Sequence, residues 1–331
     1  IKLSALAMVC AGLLSCNNPS DNSDKANSTT QNQTTDTAPK QAVPSFDENN
    51  AYTNIETQVA FGPRVPNTEA QLKCAAWLTE RLQEVCDTVY KQETTLLAGD
   101  KKTNLRCINI IGSINPSASR RILLLAHWDT RPWADRDNKN KNAPILGADD
   151  GGSGVGVLIE LARVINANPL VNKDIGIDIL LTDVEDYGKS EWGGASYALG
   201  TQYWAKNPHI AGYKAEAGIL LDMVGGKNAT FTMEGYSREY ASRILRAVWK
   251  AAGDAGFGAY FLHQNGSYIE DDHVPVNKIT GIPTIDIINL PPNSNTGFVS
   301  HWHTHDDDMN NIDRATLKAV GQTLLQYLYT Y

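Results

Sequence analysis

Residues 175–181 read Ile-Gly-Ile-Asp-Ile-Leu-Leu, apolar except for Gly176 and Asp178. The chain then turns polar through Thr182-Asp183-Val184-Glu185-Asp186-Tyr187-Gly188. An apolar run this short, closed by polar residues and a glycine, suits a strand buried on both faces of an α/β sheet. Such sheets bind ligands outside the carboxyl ends of their strands. Glu185 and Asp186 stand at that end. Two adjacent carboxylates repel, and a buried site keeps both only when a metal ion or a shared proton neutralises them. Taken alone, the stretch is equally compatible with a solvated turn.

Further runs surround it. Thr68 followed by Gln71 predicts a capping box and a helix over 68–85. Strands are predicted over 88–97, 105–114, 121–126, 218–225 and 282–289, and helices over 155–166, 195–205, 237–253 and 313–329. Strands and helices alternate after an opening set of strands. That order predicts an α/β fold, a three-layer α/β/α domain with a central mixed β-sheet, the early strands forming its antiparallel part.

The N-terminus reads differently. Residues 5–14 are a short apolar run after Lys2, too short to span a bilayer. Leu13-Leu14-Ser15-Cys16 resembles a bacterial lipobox, with Cys16 as the lipidated residue, although Leu14 is larger than usual there. The competing reading is an ordinary signal peptide with an incidental cysteine. Residues 17–44 are nearly all Asn, Ser, Thr, Asp, Gln and Ala, and bury too little apolar surface to offset their ordering entropy. The expected organisation is a signal peptide over 1–16, a disordered tether over 17–44 and one catalytic domain over 45–331. It implies an exported protein, periplasmic or on the cell envelope, touching the membrane only through a lipid anchor at Cys16. Cys74, Cys86 and Cys107 remain in the domain without C-x-x-C spacing, which argues against a thiolate metal site and permits one disulfide. The formal net charge of -8, with no basic cluster, excludes nucleic acid as a partner.

Residues of metal-binding type recur where the apolar strands end: His127 and Asp129, Asp149 and Asp150, Glu185 and Asp186, Asp222, and His303. A single acid after a strand is usually a turn or cap residue. Together, imidazole and carboxylate without thiolate suit a catalytic zinc site.

The series HWD at 127–129, GADDGGSG at 147–154, VEDYG at 184–188, LLDMVG at 220–225 and WHTHDD at 302–307 resembles the zinc aminopeptidase superfamily. Its glutaminyl-peptide cyclotransferase branch, of bacterial type, is the part it looks most like, on EDDHVP at 270–275, Trp302-His303-Thr304, Phe298 and Trp192. The resemblance covers residues 61–331. It implies one Zn2+ per chain held by Asp150, Asp186 and His303, with Asp186 standing where the family normally has Glu. It implies Glu185 as proton shuttle, with Asp222 and Asp271 as catalytic acids in one proton network. Trp192, Phe298 and Trp302 would form the substrate pocket. His127 would be a second-metal ligand or a hydrogen-bonding group behind the first. Asp286 stands where animal cyclases have a His, so its role stays open.

The implied reaction turns the N-terminal glutamine of peptides or proteins into pyroglutamate and releases ammonia. The main alternative is a di-zinc aminopeptidase, because His127, Asp150, Asp186, Asp222 and His303 supply all its ligand types. A binding protein that kept only the fold would be expected to have lost at least one of these residues. His301 and His305 flank the proposed ligand at a spacing of two, and the resemblance singles out only His303; His209 and His263 are assigned to surface or packing roles, and oligomeric state is left open.

Overall fold

The computed structural model describes residues 41–294 and 296–330. The leader, Cys16 and the tether as far as residue 40 lie outside the described residues. The strands are β1 (Thr88–Leu97), β2 (Asn104–Ile114), β3 (Arg120–His127), β4 (Ile175–Thr182), β5 (Ala217–Asp222), β6 (Phe231–Met233), β7 (Phe261–Asn265) and β8 (Thr284–Ile288). The helices are α1 (Glu48–Ala60), α2 (Glu69–Val85), α3 (Gly152–Ala167), α4 (Leu199–Lys206), α5 (Gly235–Tyr240), α6 (Ser242–Asp254), α7 (His273–Pro275) and α8 (Arg314–Thr330).

Six strands form one mixed sheet in the order β1-β2-β4-β3-β5-β8. β1, β2 and β4 pair antiparallel, and β4, β3, β5 and β8 run parallel. The two-residue period of a strand divides the apolar side chains between two cores. Leu124, Ile179 and Ile219 face one way, onto Ile55 of α1, Val155 and Leu158 of α3 and Leu324 of α8. Leu123, Leu125, Leu180 and Leu220 face the other way, onto Trp204 of α4 with Val276 and Ile282. β4 is buried along its whole length, as its near-continuous apolar sequence requires. Its one carboxylate, Asp178, is satisfied in place by Arg121, the Tyr213 hydroxyl at 2.7 Å and Ser113.

Several elements depart from the sequence reading. α1 was not expected from its pattern; Asp47 caps it, accepting from the amides of Asn49 and Asn50, and it buries Ala51 and Ile55. The helix expected over 237–253 is two helices, divided at Ala241 where φ is -137°. The helix expected from 195 starts at 199, after two short 3-10 turns over Ser190–Trp192 and Gly194–Ser196. The Thr68 cap forms, but Gln71 reaches back to the amide of Asn67 at 2.8 Å instead of that of Thr68. Gln41 and Pro44, assigned by composition to the tether, bind the domain: Gln41 through Pro169 and Val171, and Pro44 through Gln322. Cys74, Cys86 and Cys107 are all free thiols. Among the described residues no helix is long and apolar enough to cross a membrane.

Candidate metal centre and active site

Parallel pairing of β4, β3 and β5 aligns their carboxyl ends, so residues far apart in sequence reach one rim. β3 delivers His127. β4 ends at Thr182, and a turn at Val184, with φ of 58°, presents Glu185 and Asp186. β5 ends on Asp222, because the backbone turns left-handed at Met223 (φ 48°), short of the 225 expected. Asp150 arrives from the loop before α3. Gly151 takes φ of 86° there, and a Cβ on it would meet the His127 ring at 2.9 Å. His303 comes from the loop before α8 with its ring 3.8 Å from that of Trp302.

Other groups hold these in place. The Asp129 carboxylate accepts from the amides of Glu185 (3.0 Å) and Asp186 (3.2 Å). Asp307 does the same for Asp149 (2.7 Å) and Asp150 (3.2 Å). Asp149 bonds His301 at 2.7 Å and the Gly225 amide at 2.8 Å, which leaves Asp150 to face the centre.

Two overlapping groups of donors result, both containing Asp150. In the first, Asp150, Asp186 and His303, one donor atom from each residue lies within 4.8 Å of the other two. His303 Nε2 is 3.5 Å from Asp186 Oδ1 and 3.7 Å from Asp150 Oδ2. Asp186 Oδ2 is buried with no hydrogen-bond partner among the described residues. A buried carboxylate oxygen without a donor is costly, and a cation in this group would satisfy it. The second group is His127, Asp150 and Asp222. There His127 Nε2 already bridges the carboxylates, 3.1 Å from Asp150 and 3.3 Å from Asp222. Burial disfavours the charged His127 ring, but Asp129, Asp150 and Asp222 outweigh it and hold its pKa well above the usual range.

Arg131 was missed by sequence reasoning. Its only signal was an arginine four residues after a strand-end histidine. It is buried, and its Nη1 donates to Asp186 Oδ1 at 2.7 Å, to the Asp186 carbonyl at 3.1 Å and to the Gly188 carbonyl at 3.2 Å. Its other edge grips Asp135 at 2.8 and 2.9 Å. Asp135 Oδ1 in turn lies 3.3 Å from His303 Nδ1. One guanidinium thus links the loops that carry Asp186 and His303.

Asp150, Glu185, Asp186, Asp222, Asp271, His303, Phe298 and Trp302 line a cavity of about 400 Å³. The Phe298 and Trp302 rings stack at 4.1 Å. Burial, then the neighbouring Asp186, push the Glu185 carboxyl well above its usual range, with Asp271 and Asp272 adding and His127 opposing. Burial, then Asp222, do the same to Asp271.

Ser190 and Gly194, which line this cavity, flank Trp192. Gly193, with φ of 85°, turns the chain directly after it. The Trp192 ring packs edge-on to Trp133 at 6.1 Å, under the Lys189 ammonium. Asp286 lies behind the cavity, fully buried, with neither carboxylate oxygen hydrogen-bonded among the described residues. Burial and Asp271 push its carboxyl well up. His305 bonds Asp137 at 2.8 Å, His209 packs on Trp204 and Tyr213, and His263 is exposed.

Comparison with known proteins agrees with this architecture. The chain is similar to the crystal structure of Bacteroides thetaiotaomicron glutaminyl cyclase bound to N-acetylhistamine, at 48% identity and TM-score 0.84, covering 88% of this chain and 100% of that one. It is similar to a Zn-dependent exopeptidase from Parabacteroides distasonis at 52% identity and TM-score 0.85, again over 88% and 100%. The glutaminyl-peptide cyclotransferase of Bos taurus is 24% identical over 294 residues, 81% of this chain and 78% of that protein. Residues 109–328 match the model of peptidase family M28, and the chain belongs to that family.

Proposed function

We propose that this chain is a zinc-dependent glutaminyl-peptide cyclotransferase that converts N-terminal glutamine to pyroglutamate and releases ammonia. One observation carries the reading beyond the family. Asp271, from a segment outside the rim loops, shares the cavity wall with Glu185, Phe298 and Trp302. Hydrolysis at a di-zinc centre gives that buried acid no task.

Asp150, Asp186 and His303 are the residues that would hold zinc. When bound there, it acts as a Lewis acid on the γ-carbonyl of the glutamine. The reaction is intramolecular, so the cavity chiefly holds the bent conformer in which the α-amine meets the γ-amide carbon. Glu185 takes a proton from the α-amino group as the new N–C bond forms. It returns that proton to the amide nitrogen as the old C–N bond breaks and ammonia leaves. Asp222 and Asp271 keep the proton within the acid network. Phe298 and Trp302 exclude the water that would hydrolyse the amide.

The alternative, a di-zinc aminopeptidase, is favoured by the second donor group at His127, Asp150 and Asp222. Stripping the protein with a chelator and restoring zinc stepwise tests this. Activity on a Gln-initiated peptide is expected to return fully at one equivalent per chain, and a requirement for two would favour the peptidase. The leader and Cys16 support an exported, lipid-anchored enzyme, and loss of acyl labelling in Cys16→Ala would test that anchor.

A further inference from the structure

A peptide whose first residue fills the catalytic cavity must lead its second residue out of it. A second cavity of about 440 Å³ meets the first along Gly194, Tyr197, Glu270 and Asp271. The shared rim is open at Gly194, where an added Cβ would meet nothing nearer than Glu270 Cγ at 3.5 Å. The metal group and the stacked Phe298 and Trp302 form other parts of the first cavity's wall.

The second cavity has its own chemistry. Ala195, Ala198, Val274, Pro275 and Ile279 make its wall apolar. Gln202 also lines it, but its side-chain amide already donates to the carbonyls of Ala195 (3.1 Å) and Tyr197 (2.8 Å). That nitrogen is therefore committed to the protein. Ile279 is 41% exposed and presents apolar surface to the cavity. Lys278 stands at the edge, exposed, with its ammonium 5.1 Å from the Tyr236 ring centre. Glu270, at the shared rim, is held by the Tyr236 hydroxyl at 2.7 Å.

We infer that this second cavity is a subsite for the residues that follow the N-terminal glutamine. It takes an apolar side chain at the second position and, at Lys278, a carboxylate at the third. The inference rests on the cyclase reading and deepens it: the preferred substrates are peptides that begin Gln-apolar-acidic. An apolar contact of this size discriminates against glycine by roughly tenfold or more. A surface ion pair at Lys278 adds a smaller, salt-sensitive preference.

The test compares kcat/KM for Gln-Leu-Glu, Gln-Gly-Glu and Gln-Leu-Lys peptides in the wild type, Ala195→Trp and Lys278→Glu. The wild type is expected to favour Leu over Gly by about tenfold or more, through KM, and Glu over Lys by a few-fold. Ala195→Trp fills the cavity and should bring the Leu/Gly ratio near one. Lys278→Glu should reverse the Glu/Lys preference. Cyclisation of all three peptides with the same ranking in all three proteins would overturn the subsite while leaving the cyclase reading intact. No ammonia from any peptide would overturn the cyclase reading, and the subsite with it.

Discussion

Asp186 is one methylene shorter than the glutamate expected at its position, and Arg131 holds it from behind. With Oδ1 bound to the guanidinium, Oδ2 is the oxygen left without a hydrogen-bond partner among the described residues. The same guanidinium reaches His303 through Asp135. Groups behind a metal's ligands typically change its affinity by about 10–100-fold. Asp135→Asn, which alters a partly exposed residue, should weaken zinc binding in chelator competition by about that factor and leave the melting temperature of the zinc-free protein unchanged. Unaltered zinc affinity would contradict the clamp. Glu185→Gln should lower turnover by about 10²–10⁴-fold while zinc stays bound, and full activity would remove Glu185 from the mechanism. His127, Asp150, Glu185 and Asp222 were legible in the sequence because each closes an apolar strand or opens a glycine-rich turn. Arg131, Asp135 and Asp307 were not, because each sits in a polar loop where nothing local marks its partner, 55–168 residues away.

The strands were legible because burial on both faces requires continuous apolar sequence, and β3, β4 and β5 have it. α1 was not, since its Asn and Thr residues hide a helix whose stability comes from packing on α3. Nor was the division between α5 and α6, because apolar periodicity continues across it. What fixes α5 is Glu234. Its carboxylate accepts from the amides of Tyr236, Ser237 and Ile269 and lies 3.1 Å from His273 Nε2. Burial works against its ionisation, but His273 and the amides outweigh it and hold its pKa at about 2. A carboxyl lowered by folding gives stability that is fully present above its unfolded value of about 4.3. That stability is lost as the pH falls towards 2. Glu234→Gln should therefore cost roughly 1–3 kcal/mol at neutral pH and show a shallower loss of stability between about pH 5 and pH 2 in denaturant titrations. Parallel curves for the two proteins would show that Glu234 does not contribute this way.

For the whole molecule, the parallel half of the sheet gathers the catalytic groups at one rim, and the segment carrying Asp271 completes the cavity from the side. The α/β/α layering followed from the order of apolar runs, and the rim from where they end. The number of metals was not legible, because the donors for one centre and for two share Asp150 and differ only in what His127 and Asp222 do. The cyclase and the peptidase differ in which bond breaks. Incubating the zinc-loaded protein with a Gln-initiated peptide, and measuring free ammonia and free amino acids in the same sample, tests this most directly. One ammonia per peptide consumed is expected, with the peptide bond intact. Release of free glutamine without ammonia would contradict it.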